Sequence, residues 1–300
     1  MTTITIGIAR REGTAGPIAD AAATYTSDAT GRTAAALVDG MGHADDIVRL
    51  APMLAETAAR VGAGRGALAG LLSAGLLLAD PGHPDAVGVL AVTRADGSGA
   101  ELVWAGDCRA YRWDGTELAQ LTTDHNLAAY LSRAALAAGE VPVSALADSV
   151  GVTLGRATPA TAPYVGVPAG GLLVLTTDGV HDQVPAERVE ALVREHQGLD
   201  PQALADALVA AATADSGGYR DDATAVVLPL GLAHSAPALT PTMAMHLGRL
   251  ATGASGLTPD VRARVHAAIE VAMHDGTEAG VCALVDILMA ETARATGPGR

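Results

Sequence analysis

Aspartates beside apolar segments are the residues of this sequence best suited to chemistry. Asp39 ends the run AAALV and precedes Gly40, and Asp178 follows LLVLTT and also precedes a glycine. Asp107 follows ELVWAG, and Asp221 comes just before ATAVVL. Carboxylates at strand ends commonly hold hard divalent cations such as Mg²⁺ or Mn²⁺. If these strand ends meet at one edge, the carboxylates repel one another, and a cation is needed to offset that repulsion.

A fifth carboxylate, Asp20, lies ahead of another predicted strand. An aspartate before a glycine is most often a turn residue, so no single one of these positions indicates a metal site. The hypothesis depends on the whole set and on the elements that bring its members together.

Composition restricts the class of protein. The chain has 300 residues, 49% of them hydrophobic and 2% aromatic, with no Phe, so the sequence predicts a globular fold with an aliphatic core. A net charge of −14 argues against a nucleic-acid partner. Cys108 and Cys282 show no zinc-binding spacing, which favours a reducing compartment. The N-terminus lacks a signal-peptide pattern, and the apolar tract at 67–79 is too short to span a membrane. We therefore expect a cytoplasmic protein without a membrane partner.

Hydrophobic periodicity predicts an α+β fold. Helices are predicted at 44–61, 67–79, 126–138, 185–196 and 201–214, with the glycine-rich segment Gly62–Gly66 breaking the first from the second. Strands are predicted at 3–9, 23–26, 33–38, 87–92, 101–105, 109–113, 116–121, 151–154, 164–167, 172–176 and 223–230. Hairpins outnumber βαβ units, so we expect antiparallel sheets covered by helices. The sequence pattern changes near Gly231, and this change separates residues 1–231 from a predicted helical C-terminal extension, 232–300.

Four blocks of the sequence, VDGMGH, AGDCRAYRWDGTELAQLTTDHN, LLVLTTDGV and RDDATAVVL, occur in the order and approximate spacing of a known family. Together they resemble the bacterial type of the metal-dependent type 2C protein serine/threonine phosphatases, the PPM family. The resemblance covers about the first 230 residues. It implies a four-layer αββα sandwich of two antiparallel sheets flanked by helices. It also implies two Mg²⁺ or Mn²⁺ ions and hydrolysis of phosphoserine and phosphothreonine in proteins by a metal-activated water.

The resemblance assigns roles to individual residues. Asp39 matches the ligand that bridges both metals, and the Gly40 carbonyl matches a ligand of one of them. Asp178 and Asp221 match the other ligands of the first metal. Asp107 matches an aspartate that holds a third, looser metal together with Asp178.

Other positions depart from the family pattern. Asp20 matches an aspartate of the first family block and is expected to be a weak or indirect metal ligand. Ala19 stands where the second metal's glutamate is expected, and Asp222 stands where the family usually has Asn. Asp222 is therefore expected to be a neighbour of the site and not a ligand.

The first family block also has a phosphate-binding arginine, which is missing here. Arg10 and Arg11 are close enough in sequence to replace it after a loop rearrangement, and Glu12 could replace the missing carboxylate. His43 replaces a family glycine. It is either a proton donor to the leaving oxygen or a residue that caps the next helix or faces solvent. His125 matches a family position and is expected to stabilise a loop.

Three functional hypotheses follow. The first is a Mg²⁺/Mn²⁺-dependent protein serine/threonine phosphatase that acts on phosphorylated proteins in signalling. The second is a degenerate, catalytically weak family member that binds phosphoproteins or partner proteins, a reading based on Ala19. The third is a metal-dependent hydrolase of another phosphorylated compound. The C-terminal extension is expected to serve self-association, docking or closure of the site.

Overall fold

The computed structural model describes residues 4–78, 84–130, 150–198 and 200–231. Two five-stranded antiparallel sheets form its centre, which confirms the predicted α+β sandwich. The first sheet has the strand order β1 (Gly7–Arg11), β10 (Ala223–Pro229), β9 (Leu172–Thr176), β6 (Arg109–Trp113), β7 (Leu118–Gln120). The second has the order β2 (Ala21–Thr26), β3 (Thr33–Gly40), β4 (Ala86–Thr93), β5 (Gly99–Ala105), β8 (Tyr164–Pro168).

Helices cover both outer faces of the sandwich. Helices α1 (Asp45–Arg65) and α2 (Ala67–Gly75) lie against the second sheet, and α5 (Ala186–His196) and α6 (Pro201–Ala211) lie against the first. The remaining helical segments are short: α3 (Leu127–Tyr130), α4 (Asp178–His181) and the 3₁₀ turns Leu76–Leu78 and Leu154–Arg156.

Across its described residues, the domain has three hydrophobic cores, one between the two sheets and one beneath each layer of helices. Successive side chains along each strand alternate between the central core and an outer one. Leu37, Trp104 and Val226 are buried between the two sheets. Their strand neighbours face outward, so that Val38 packs beneath α1 and α2 and Val227 packs beneath α5 and α6. Because successive side chains of a strand point to opposite faces, strands buried on both faces read as nearly continuous apolar runs. This is why the four layers follow from the sequence pattern.

The predicted break between the first two helices is wrong in position. α1 continues to Arg65, and the chain turns only at Gly66, which has φ of 100°. Gly62, before this turn, and Gly70, after it, are packing positions. A Cβ on Gly62 would lie 3.0 Å from Leu90 Cδ2, and one on Gly70 would lie 2.5 Å from the carbonyl oxygen of Ala58. Close packing of α1, α2 and β4 selects glycine here despite its low helix propensity.

The strand predicted at 151–154 is also wrong. The segment is a bend followed by the 3₁₀ turn Leu154–Arg156. The carboxylate of Asp85 accepts hydrogen bonds from Thr153 Oγ1 at 2.5 Å and from the Gly155 amide at 3.1 Å. Side-chain bonds of this kind compete with pairing in a sheet.

The predicted C-terminal extension, 232–300, and most of the helix predicted at 126–138 lie outside the described residues. Among the residues that the structure describes, no helix is both long and apolar enough to cross a membrane.

Candidate active site

A cavity of about 480 Å³ opens where strands of both sheets end. Gly40 and its neighbour Asp39 line it, with aspartates from several separate turns. The aspartates that line the cavity are Asp39, Asp107, Asp124, Asp178, Asp182, Asp221 and Asp222. The structure therefore brings together all of the first-choice metal ligands suggested by the sequence, whereas Asp20 does not line the cavity.

Asp39 is held within a strand and not in the turn after it. β3 continues through Gly40, with Asp39 paired to Val87 and Gly40 paired to Ala86. A Cβ on Gly40 would lie 2.5 Å from Ile47 Cγ1. Glycine is therefore required at this position, and the Asp39 backbone is fixed by the sheet.

The other carboxylates lie on tight turns. Gly106, before Asp107, has φ of 99°, and a Cβ on it would lie 2.2 Å from the Val87 side chain. Asp178 is the first residue of α4. A Cβ on the next residue, Gly179, would lie 1.9 Å from the carbonyl oxygen of Asp222. Contact between these backbones keeps the turn that carries Asp178 beside the one that carries Asp221.

Burial and mutual repulsion raise the pKa values of these carboxyl groups. Burial raises the pKa of Asp39 well above its usual range, and the charges of Asp178, Asp20 and Asp107 add to this. Burial, followed by repulsion from Asp221, raises the pKa of Asp178 to about 7. Burial raises the pKa of Asp107 to about 6. Without a cation, the cavity therefore holds protons that an isolated carboxylate would release.

The donor set fits hard divalent cations, since carboxylate and carbonyl oxygens are the ligands that Mg²⁺ and Mn²⁺ prefer. The carboxylates of Asp39, Asp107, Asp178 and Asp221 and the Gly40 carbonyl could hold such ions. In the described part of the chain, no three acidic, histidine or cysteine side chains are placed as a metal-binding group in this structure. The fit to a metal therefore rests on the chemistry of the oxygen donors that line the cavity.

Asp20 lies behind the cavity wall. It is 2% exposed, and its Oδ2 accepts a hydrogen bond from Thr177 Oγ1 at 2.9 Å. The same hydroxyl oxygen accepts from the Thr224 amide at 3.0 Å. Burial raises the pKa of Asp20 well above its usual value. Asp20 thus supports the residue before Asp178 and does not face the cavity directly.

The Asp222 side chain binds the N-terminal loop through hydrogen bonds. Its Oδ1 accepts from the Gly13 amide and its Oδ2 from the Ala19 amide, both at 2.7 Å. These two backbone donors require two acceptor oxygens, which a carboxylate provides and a carboxamide does not. This pairing explains why Asp stands where the family usually has Asn.

We expect Asp222→Asn to lower the free energy of unfolding by about 1–3 kcal/mol, because the amide nitrogen would face a buried N–H donor. Urea unfolding monitored by circular dichroism measures the loss. Asp215→Asn, in the exposed turn before Tyr219, serves as a charge-matched control. Equal stability of Asp222→Asn and the unaltered protein would contradict the assigned bonding.

Ala19 provides no carboxylate to the cavity. It is 1% exposed and packs with Ile47 in the core beneath α1. The sequence candidates for replacement lie elsewhere: Arg11 Nη1 donates to the Ala212 carbonyl at 2.8 Å, and Arg10 and Arg11 line a separate groove beside α6. Glu12 contributes its main-chain oxygen to Arg220 at 2.9 Å.

His43 lines the cavity, and its side chain is 26% exposed. Its Nδ1 lies 3.3 Å from the Pro17 carbonyl oxygen and 3.7 Å from Asp222 Oδ2. It makes no capping bond to α1, whose N-cap residue is Ala44. Of the roles suggested by the sequence, capping is therefore excluded.

His125 holds the turn before Asp107. Its Nδ1 accepts from the Gly106 amide at 3.1 Å, and its own amide donates to the Gly106 carbonyl at 3.0 Å. Burial lowers the pKa of His125, which agrees with an unprotonated Nδ1 acceptor. The expected loop-stabilising role agrees with this geometry.

Sequence reasoning gave no role to several cavity residues, namely Arg109, Asp124, His181, Asp182 and Tyr219. Arg109 and Asp124 both lie in the block AGDCRAYRWDGTELAQLTTDHN, 15 residues apart. Their opposite charges flank the hairpin β6–β7, and that arrangement is the signal that could have identified them. Tyr219, on the loop before Asp221, carries no comparable signal.

Solved structures of bacterial phosphatases have a similar fold. A bacterial serine phosphatase matches with a TM-score of 0.62 and 14% identity, over 77% of this chain and 99% of that chain. The PPM Ser-Thr phosphatase MsPP from Mycobacterium smegmatis, in complex with cacodylate, matches with a TM-score of 0.59 and 23% identity, over 77% and 100% of the two chains. The serine/threonine phosphatase PstP/Ppp from Mycobacterium tuberculosis gives 0.54 and 23%, over 76% and 100%. At these identities the likeness shows the fold: that of the PPM-type phosphatases.

Residues 29–230 match the family model described as Stage II sporulation protein E (SpoIIE). This match spans more than half of the chain. The chain therefore belongs to the SpoIIE family, and the predicted assignment to the PPM-type phosphatases is confirmed. No curated protein sequence matches the chain at a significant level.

Proposed function

We propose that this protein hydrolyses phosphoserine and phosphothreonine in other proteins with Mg²⁺ or Mn²⁺ as cofactor. The observation that carries the proposal is the single cavity lined by Asp39, Asp107, Asp178 and Asp221. Burial raises the pKa values of Asp39, Asp107 and Asp178, as is common at functional sites. Membership of the SpoIIE family and the PPM-type fold support the same reaction.

Cations bound at such a cavity lower the pKa of a water molecule and neutralise phosphoryl oxygens. In this proposal Asp39 and the Gly40 carbonyl hold them from the rigid strand β3, and Asp178 and Asp221 hold them from the opposite sheet. Asp107 and Asp178 are the candidates for a third, looser ion. No serine, threonine or cysteine is among the described residues that line the cavity, so attack by water fits this chain better than a protein nucleophile.

His43 is the proposed proton donor to the leaving oxygen. It lines the cavity, is partly exposed, and is oriented at Nδ1 by the Pro17 carbonyl and Asp222. His181, which also lines the cavity, does not suit the role. Burial lowers its pKa well below the usual value, and its Nδ1 already pairs with Thr176 Oγ1 at 3.0 Å.

The proposed setting is the cytoplasm, with phosphorylated proteins as substrates. Cys108 is 1% exposed, and burial raises the pKa of its thiol, which suits a packing role in the core. The net charge of −14 disfavours nucleic acid as a partner. Self-association or docking through 232–300 stays a prediction.

The test is hydrolysis of p-nitrophenyl phosphate and of a panel of phosphopeptides by the full chain, with Mn²⁺, with Mg²⁺ and with a chelator. We expect Mn²⁺-dependent release of phosphate, with phosphoserine and phosphothreonine peptides cleaved faster than phosphotyrosine peptides. Turnover of small esters without turnover of any peptide would instead favour a hydrolase of another phosphorylated compound.

Ala19 supports the alternative function, a weak or inactive family member that binds phosphoproteins. Its burial with Ile47 leaves the expected glutamate position without a carboxylate. Calorimetry with the same phosphopeptides separates the two functions. Binding without turnover at millimolar Mn²⁺ would favour the binding protein and contradict the enzyme.

A further inference from the structure

One permanent cation stands among the described residues that line the acidic cavity. It is Arg109, and the other charged residues there are aspartates, apart from the two titratable histidines. A phosphate ester carries negative charge of its own, and a cavity rich in carboxylates repels it. The position of this guanidinium therefore bears on how any phosphorylated ligand could enter.

Strand register places Arg109 between two of the carboxylate-bearing turns. It is the first residue of β6 and pairs with Thr176 of β9. Asp107 lies two residues before Arg109, and Asp178 lies two residues after Thr176. The neighbouring residues Cys108 and Ala110 are buried in the core between the sheets, so Arg109 projects from the opposite face of its strand.

Asp124 orients the guanidinium of Arg109, which stays partly exposed. Nε donates to Asp124 Oδ1 at 3.1 Å and Oδ2 at 3.2 Å, and Nη2 donates to Asp124 Oδ2 at 2.8 Å. Nη2 also lies 4.0 Å from Asp182 Oδ1, in a longer ion pair. The side chain is 25% exposed. A planar group that is already held in this way loses little further freedom when it binds a ligand.

The arginines nearest the start of the chain do not occupy this position. Arg11 is bound to the carbonyl at Ala212, and with Arg10 it lines the groove beside α6. We propose that the guanidinium of Arg109, held in place by Asp124, binds the phosphoryl group of the substrate. The inference rests on the proposed function for its reaction, but phosphate binding is measurable without turnover. Asp124 is then a positioning residue, because it acts through Arg109.

The experiment compares full-length Arg109→Met and Arg109→Lys with the unaltered protein in Mn²⁺. Isothermal titration with inorganic phosphate gives its affinity, and inhibition of p-nitrophenyl phosphate hydrolysis by phosphate gives an independent value. Arg109→Met should weaken phosphate binding about 10- to 100-fold, the size expected for one charged hydrogen bond, and should raise KM more than it lowers kcat. Arg109→Lys keeps the charge but loses the planar guanidinium with its fixed donors, so it should show an intermediate loss of phosphate affinity.

Arg10→Met is the matched control, since it removes the same charge from outside the cavity and should leave phosphate affinity unchanged. Arg109→Met also leaves Asp124 unpaired, so the double variant Arg109→Met/Asp124→Asn separates folding from binding. It should regain thermal stability without regaining phosphate affinity. Unchanged phosphate affinity in a folded Arg109 variant, or a loss in Arg10→Met equal to that in Arg109→Met, would overturn the proposal. Phosphate binding that depends on Arg109 without any turnover would uphold it and reject the phosphatase function instead.

Discussion

Replacing Asp39 by Asn is expected to reduce Mn²⁺-dependent hydrolysis of p-nitrophenyl phosphate by roughly 100-fold or more, since even the partners that orient metal ligands are worth 10- to 100-fold. Asp39 projects from a strand that is paired on both sides, which fixes the position of its backbone. The substitution removes a charge but preserves the shape of the side chain. The loss should therefore appear in Mn²⁺ affinity as well as in kcat.

Initial rates at saturating Mn²⁺ and calorimetric Mn²⁺ titration measure the two losses separately. Asp215→Asn is the control, because it makes the same change of charge at an exposed turn outside the cavity. Its activity should stay close to that of the unaltered protein. Full activity in Asp39→Asn, or an equal loss in Asp215→Asn, would show that the sequence resemblance has assigned the wrong carboxylate.

The second large effect is on stability. In metal-free protein, the stabilisation of the native state by protonated Asp178 should be present at low pH and disappear as pH rises to about 7. The pKa of Asp178 is about 7 in the folded protein and about 4 in an unfolded chain, so over this window the native state binds more protons. From pH 5 to pH 8 the loss should amount to roughly 2.5 kcal/mol. Asp107, with a pKa of about 6, contributes in the same direction.

Histidines titrate with the opposite sign, since burial lowers the pKa of His181 and of His125. The comparison of the unaltered protein with Asp178→Asn cancels that contribution. Chemical unfolding in chelator at pH 5 and pH 8 should show Asp178→Asn gaining stability relative to the unaltered protein as pH rises. Mn²⁺ should remove this advantage, adding about 2.7 kcal/mol to the unaltered protein at 100 times its dissociation constant. A constant difference between the two proteins across this pH range would contradict the assigned pKa.

The four layers of the fold and the carboxylates of the site could be predicted from the sequence, because both depend on local patterns. Asp39, Asp178 and Asp221 each adjoin an apolar run long enough to be a buried strand. Strands of this kind end at an edge of the sandwich, so the residues that flank them must lie at one of its edges. The resemblance to the PPM family then assigned these residues to one site.

The errors have a different origin. Gly62 was predicted to lie in a helix break, whereas it lies within α1 and lets that helix approach Leu90 of β4. Arg109 was passed over because its importance depends on the β6–β9 register and on Asp124, which lies beyond a hairpin. Close backbone approach and long-range pairing are properties of the assembled sheets, and no local pattern encodes them.

β1 and β10 form a pair whose residues are separated by more than 200 positions, as in Ala9 and Ala225. During synthesis the first strand leaves the ribosome long before its partner exists. At 5–20 residues per second, that interval is roughly 10–40 s. The bonds from Gly13 and Ala19 to Asp222 form across the same separation. The acidic cavity is thus completed by one of the last segments of the sandwich to be made, and a nascent chain stalled before β10 would carry most of the carboxylates without a finished site.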